Sequence, residues 1–160
     1  CKLIRGNVDT RIKKLKEGTY DAIILSYAGI KFLDLEDEVS EIFEIEEIIP
    51  SAGQGIIALQ CRQNDQRIIS ILKKVNHEET YIRACVEKNI LKVLEGDCET
   101  AIGAYSKIYD NKLVVEAELF SLDGSQRFYE KKITEVSKFR ELGKEIGQNL
   151  KIKSKNSYKK

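Results

Sequence analysis

The sequence predicts an α/β unit followed by a small α+β domain, and three observations carry that reading. A short helix near the start leads into the apolar run DAIILS, of the kind buried on both faces of a sheet. A wide apolar stripe at helical spacing then occupies residues 78–95. Three strand-like segments separated by Asp-Asn and Asp-Gly turns follow it.

The first helix covers residues 9–17, with Val8, Ile12 and Leu15 on one face and Gly18 as its stop. Residues 21–26 (DAIILS) read as a buried strand, so helix, turn and strand suggest a parallel-sheet unit. Ala28-Gly29-Ile30 begins a turn or helix. An acidic stretch to Glu47 follows, with Ile42, Phe43, Ile45, Ile48 and Ile49 in another strand or edge. The single Pro, Pro50, opens a loop, PSAGQG. Residues 56–61 (IIALQC) read as a strand and residues 65–75 as a helix.

A second unit begins near Asn76. In its long helix Ile82, Cys85, Val86, Ile90, Val93 and Leu94 share a stripe that ends at Gly96. Strands are expected over 102–109, 113–121 and 127–133. In the middle one Leu113, Val115, Ala117 and Leu119 make an apolar face, and Val114, Glu116, Glu118 and Phe120 a mixed one. Residues 136–150 close the unit as a helix with Phe139, Leu142 and Ile146 inward. The lysine-rich tail from 151 reads as disordered.

Composition narrows the function classes. Lys and Arg number 27 against 26 Asp and Glu, so nothing global favours nucleic acid or an acidic membrane. The apolar runs are too short to span a bilayer, and no signal peptide is visible. The chain lacks Met and begins at Cys1, so a piece or processed product of a longer polypeptide is expected. The four cysteines, Cys1, Cys61, Cys85 and Cys98, are widely spaced, and His77 is the only His, so no metal site is expected. Reduced thiols in a cytosolic protein are the default.

Local chemistry marks three places. Arg5-Gly6-Asn7 precedes a helix that also carries Arg11; two guanidiniums beside a helix amino end can hold carboxylate or phosphate. The same residues also read as a solvated basic helix start capped by Asp9. In the loop Ser51-Ala52-Gly53-Gln54-Gly55, Gln54 either presents its amide to a ligand or sits in a plain crossover; no GK[ST] follows, so this is not a P-loop. Cys98 lies on a turn in LEGDCET, where a thiol is accessible as a nucleophile. Asp97 and Glu99 beside it disfavour the thiolate. Cys61 and Cys85 read as core residues and His77 as a helix-start residue.

Taken together, RGNVDTRIKKLKEGTYDAIILSYAGIK (residues 5–31), PSAGQGIIALQCR (50–62) and LEGDCETAIGAY (94–105) resemble the porphobilinogen deaminase family in order and spacing. The resemblance covers nearly the whole chain except the tail. It implies two lobes like those of periplasmic binding proteins and a third, small α+β domain, with a three-stranded antiparallel sheet and helices on one face, carrying a cofactor cysteine. Residues 1–49 would be the later part of the second lobe, 50–75 a crossover completing the first, and 76–160 the third domain. It further implies that Cys98 is catalytic and holds a dipyrromethane cofactor by a thioether. Arg5 and Arg11 would bind pyrrole carboxylates, and Asn7, Thr10, Ser26, Gly29 and Gln54 would line the cofactor cavity.

The implied reaction is stepwise condensation of four porphobilinogen molecules with loss of ammonia, in tetrapyrrole (haem) biosynthesis, by a cytoplasmic monomer. The family's catalytic Asp would lie upstream, so this piece alone is expected to be inactive. Phe32 stands where family members commonly have Arg, and Asp97, Glu99 and Ala101 replace Gly, Gln and Pro in the cysteine loop. These departures leave room for a second reading, a divergent protein that binds a pyrrole or other carboxylate without turnover.

Overall fold

The computed structural model describes residues 2–97 and 100–159. Contacts divide the chain into two units, Cys1–Phe43 and Glu44–Lys160.

The smaller unit has α1 (Val8–Lys16), α2 (Tyr27–Phe32) and a 3-10 turn, Glu36–Glu38. Ile12 of α1 and Ile30 of α2 are its buried side chains among the described residues. Lys16 ties α1 to the 3-10 turn through Glu38 at 2.5 Å. The strand expected over 21–26 is not formed: residues 22–26 have no regular structure, and Ile24 is 70% exposed. A strand has backbone donors and acceptors that only a neighbouring strand can satisfy. None among the described residues pairs with this segment.

The larger unit begins with a turn at residues 44–48, where a strand or edge was expected; Ile48 N–H donates to Glu44 O at 3.2 Å. Residues 56–61 likewise form no strand, and Ile57 is 89% exposed. Helix α3 (Gln66–Val75) is capped by Asp65, whose carboxylate accepts from Ile68 N–H at 3.0 Å. None of its residues is buried.

From His77 to residue 150 the described residues follow the sequence reading closely. His77 caps α4 (Glu78–Val93), its ring Nδ1 accepting from Thr80 N–H. The strands are β1 (Ile102–Tyr109), β2 (Lys112–Phe120) and β3 (Arg127–Glu135), in the antiparallel order β1-β2-β3. Asp110 and Asn111 both have positive φ, as a two-residue hairpin twisted to match its strands requires. A short 3-10 turn, Val136–Lys138, leads into α5 (Phe139–Ser154).

Helices α4 and α5 cover one face of the sheet. Val86 and Ile90 of α4, its C-cap Leu94, and Leu142, Ile146 and Leu150 of α5 meet Leu113, Val115, Ala117 and Leu119 of β2 there. The two helices approach closely because α5 has glycine at two positions one turn apart. A Cβ at Gly143 would lie 2.5 Å from Val86 O, and one at Gly147 2.8 Å from Val93 Cβ.

The opposite face of β2 is the mixed one, and it too is buried. Glu116 pairs with Lys131 at 2.9 Å and accepts from Tyr129 Oη at 2.6 Å, while Glu118 accepts from Arg127 Nε at 2.8 Å. Ile49 packs over this face near Gly103, and Ala104 N–H donates to Pro50 O at 2.8 Å. The tail differs from its expected disorder. Helix α5 runs to Ser154, and Tyr158 is buried.

Candidate functional site

Six of the residues singled out from the sequence lie in the smaller unit, around the amino ends of α1 and α2. Gly6 turns the chain into α1 with φ +125°, a conformation that side-chain-bearing residues rarely adopt. Asn7 is the N-cap, and its side chain makes no capping bond. The first-turn N–H groups of α1 therefore keep no acceptor among the described residues, with the positive end of the helix dipole beside them.

The backbone carbonyls of this turn are held from below. Arg11 Nε donates to Gly6 O at 2.7 Å and Lys14 Nζ to Arg5 O at 2.9 Å. Thr10 packs beneath Gly6, where an added Cβ would come within 2.9 Å of Thr10 Cγ2. The guanidinium of Arg5 is exposed and has no partner among the described residues.

Helix α2 starts next to α1: a Cβ on Gly29 would lie 3.4 Å from Val8 Cγ2. Ser26 caps α2 and also leaves its hydroxyl uncommitted to the helix. Arg5, Asn7, Thr10, Arg11, Ser26 and Gly29 thus gather around two adjacent helix amino ends that hold cations and free donors. Such a cluster can bind organic carboxylates through charge-assisted hydrogen bonds. Phe32, at the far end of α2, is 85% exposed and brings no cation.

Gln54 and Cys98 belong to the larger unit. Gln54 is exposed between Gly53 and Gly55, both with positive φ, and its N–H donates to Ser51 O at 2.9 Å. This loop is anchored by a residue that sequence reasoning missed. Glu87 on α4 is only 3% exposed, and its carboxylate accepts from Gly53 N–H at 2.8 Å, Ser106 N–H at 3.0 Å and Ser106 Oγ at 2.6 Å. A buried carboxylate is stable when hydrogen bonds replace its water, and three do so here. A signal was present: Glu87 interrupts the apolar stripe one turn before Ile90, and Ser106 interrupts the inward face of β1 two residues after Ala104.

Cys98 and Glu99 lie outside the described residues, but both shoulders of their loop are defined. The end of α4 closes with two reverse bonds, Glu95 N–H to Lys92 O at 3.1 Å and Gly96 N–H to Leu91 O at 3.0 Å. This is a Schellman closure in which Glu95, not a glycine, takes the left-handed position at φ 54°. On the other side Asp97 N–H donates to Thr100 Oγ1 at 3.0 Å and Thr100 N–H to Asp97 Oδ1 at 3.2 Å. Cys61 and Cys85 are free thiols, each half-buried.

The open groove on the outer face of the sheet, about 370 Å³, does not compete as an anion site. Its cations Arg127 and Lys131 are committed to Glu118 and Glu116. Tyr129 in its wall is pushed up to about 12, first by burial and then by its bond to Glu116, so it holds its proton. No helix among the described residues is long and apolar enough to cross a membrane.

Comparison with known sequences identifies the family of the chain. Residues 1–70 match the family model described as porphobilinogen deaminase, dipyromethane cofactor binding domain, and residues 81–152 match the porphobilinogen deaminase C-terminal domain. The chain belongs to the porphobilinogen deaminase family. Porphobilinogen deaminase of Desulforamulus reducens is 39% identical over 147 residues, covering 92% of this chain and 48% of that protein. The probable porphobilinogen deaminase of Methanocaldococcus jannaschii is 42% identical over 158 residues, covering 93% and 52%. That of Alkaliphilus metalliredigens is 36% identical over 147 residues, covering 92% and 46%. The chain spans about half the length of the curated relatives it matches.

Within porphobilinogen deaminases, the cofactor-binding model is thus the one that matches the residues around the amino ends of α1 and α2. The cofactor it names, a dipyrromethane, carries several carboxylates. The unpartnered guanidinium of Arg5 and the bare amides of α1 fit that charge.

Proposed function

We propose that the protein acts as a hydroxymethylbilane synthase, condensing four porphobilinogen molecules in turn with loss of ammonia. The observation that carries this reading is the cation-bearing pair of helix amino ends. Arg5 and the first-turn amides of α1 have donors with no internal acceptor, and they lie in the segment that matches the cofactor-binding model. When bound, the dipyrromethane supplies the pyrrole end onto which substrate units are joined.

The chain's own residues have distinct roles in this reading. Arg5 and Arg11 neutralise pyrrole carboxylates, Arg11 also bracing the Gly6 turn through its Nε. Asn7, Thr10, Ser26, Gly29 and Gln54 shape the cofactor cavity. Cys98 is the attachment point, a soft nucleophile suited to forming a thioether. Glu87 keeps the Gln54 loop on α4 and β1. The substrate is porphobilinogen, the protein is a cytoplasmic monomer, and neither nucleic acid nor membrane is a partner.

The finer architecture follows the same reading. Residues 1–49 are the later part of a second periplasmic-binding-protein-like lobe, 50–75 complete the first, and 76–160 form the C-terminal domain. Two apolar segments without strand partners, around Ile24 and Ile57, support it, as does the apolar side of α3, which has no fully buried residue. Each is what a βα unit leaves exposed when its sheet neighbours are missing.

Intact-mass measurement on the whole gene product tests the central point. An added mass equal to two linked pyrroles is expected, and it should vanish in Cys98→Ala. A folded protein of unmodified mass would overturn the role of Cys98. The 160 residues alone should not turn over porphobilinogen.

A further inference from the structure

The segment that its lysine content marks as a solvated tail is built into the base of the Cys98 loop. After α5 ends at Ser154, Lys155 and Asn156 both take left-handed backbone conformations, φ 49° and 62°, and turn the chain back. Leu122 N–H donates to Ser157 O at 2.9 Å, which fixes the returning strand of chain beside the β2–β3 turn. Tyr158 is then only 4% exposed, and its hydroxyl donates to Leu94 O at 3.0 Å. That carbonyl belongs to the C-cap of α4, a group the helix itself cannot satisfy.

The next residue in each direction extends the contact. Lys159 pairs with the carboxylate of Glu95, and Lys151 of α5 approaches the same carboxylate at 3.5 Å. Both lysines hold the Glu95 carboxyl below its usual range, Lys159 more strongly. Glu95 is the non-glycine residue in the left-handed position, and it stands three residues before Cys98. A residue there is strained unless its surroundings hold it. Here three tail and helix side chains hold it and its neighbour.

We propose that the C-terminal segment is a clamp that sets the Cys98 loop for cofactor attachment, with Tyr158 and Lys159 as positioning residues. The proposal rests on the reading of Cys98 as the attachment point. It also accounts for a left-handed Glu95 where glycine would be the relaxed choice.

The test uses the whole gene product prepared without porphobilinogen, in parent, Tyr158→Phe, Lys159→Met and Lys159→Arg forms. Amide exchange at residues 95–97 should rise about tenfold in Tyr158→Phe while β2 amides stay unchanged, the signature of local rather than global opening. Alkylation of Cys98 by iodoacetamide should slow about threefold in Lys159→Met and recover in Lys159→Arg, with Cys61 and Cys85 as internal references, because a lost cation disfavours the thiolate. On adding porphobilinogen, mass gain at Cys98 should slow about fivefold in Tyr158→Phe and Lys159→Met, as for other misplaced reacting groups.

Parent-like exchange, alkylation and mass gain in both variants would overturn the clamp, as would exchange rising equally through β2. If exchange and alkylation respond as expected but no variant, nor the parent, gains mass, the clamp stands and the attachment reading falls.

Discussion

The two units of this chain treat similar apolar residues in opposite ways. Ile24 and Ile90 both sit in segments that read as buried. Ile90 is fully enclosed between α4, α5 and the sheet, whereas Ile24 is mostly exposed. Their local sequences do not explain the difference; the reach of their partners does. Ile90 is buried by elements that follow within one short stretch of chain, joined by tight hairpins and a helix pair. A parallel strand at 21–26 would need neighbours supplied through crossovers. The same contrast holds within the larger unit, where Ile57 and Leu59 are exposed and the apolar side of α3 is only partly covered, while β1, β2 and β3 pair in full.

The largest effect that can break this comparison is a pair of truncations in the same chain. Ile90→Ala should cost about 2–5 kcal/mol, through lost burial and the cavity left behind. Ile24→Ala should stay within about 0.5 kcal/mol. Urea unfolding of the two variants measures both. Comparable losses would mean that the smaller unit buries residues 21–25 after all.

The next effect concerns the polar anchor between them in character, Glu87. Replacing it with Ala strands Gly53 N–H and Ser106 N–H without their acceptor and leaves Ser106 Oγ only Arg83 O, at 3.5 Å. A loss of about 3 kcal/mol is expected, since buried donors left unpaired forfeit their hydration as well as their bond. Urea unfolding gives the loss, and amide exchange at Gly53 should rise with it. A near-neutral Glu87→Ala would show that the Gln54 loop is held by the Pro50 contact alone.

What the sequence made legible was local. The stripe of α4, the period-two alternation of β2 and the Asp-Asn and Asp-Gly turns each rest on contacts between near neighbours. So does the gathering of Arg5, Asn7 and Arg11 around one helix start. What it hid was long-range or compensated. The lysines of the tail suggested a solvated coil, yet Tyr158 supplies burial, and Lys151 and Lys159 find Glu95. Gly143 and Gly147 gave no signal in the sequence, and only the proximity of α4 gives them a purpose. Glu116 and Glu118 made one face of β2 read as mixed, and its burial was hidden because their partners, Lys131, Tyr129 and Arg127, lie on another strand. Local sequence offered Cys98 as an accessible thiol with flanking acids against it, and the attachment role proposed for it rests on the resemblance.

The smallest effect isolates a purely local structure, the β2–β3 turn. Asp123 accepts from Ser121 Oγ at 2.5 Å and from Ser125 N–H and Oγ at 3.1 and 2.8 Å. These bonds favour its charged form and lower its pKa from 3.8 to about 2. A carboxyl lowered in the folded state stabilises the fold in full above its unfolded value, and that stabilisation disappears as pH falls through about 2. The difference in unfolding free energy between the parent and Asp123→Asn should therefore be constant near neutrality and shrink between pH 4 and 2, as followed by urea unfolding at a series of pH values. The group is exposed, so the effect is small and weakened by salt. A difference that does not change with pH would assign the turn to backbone geometry, with Gly124 at φ +70° as its determinant. A difference that shrinks would assign it to the serine hydroxyls, and the most legible feature of the sequence would then owe its stability to a charge.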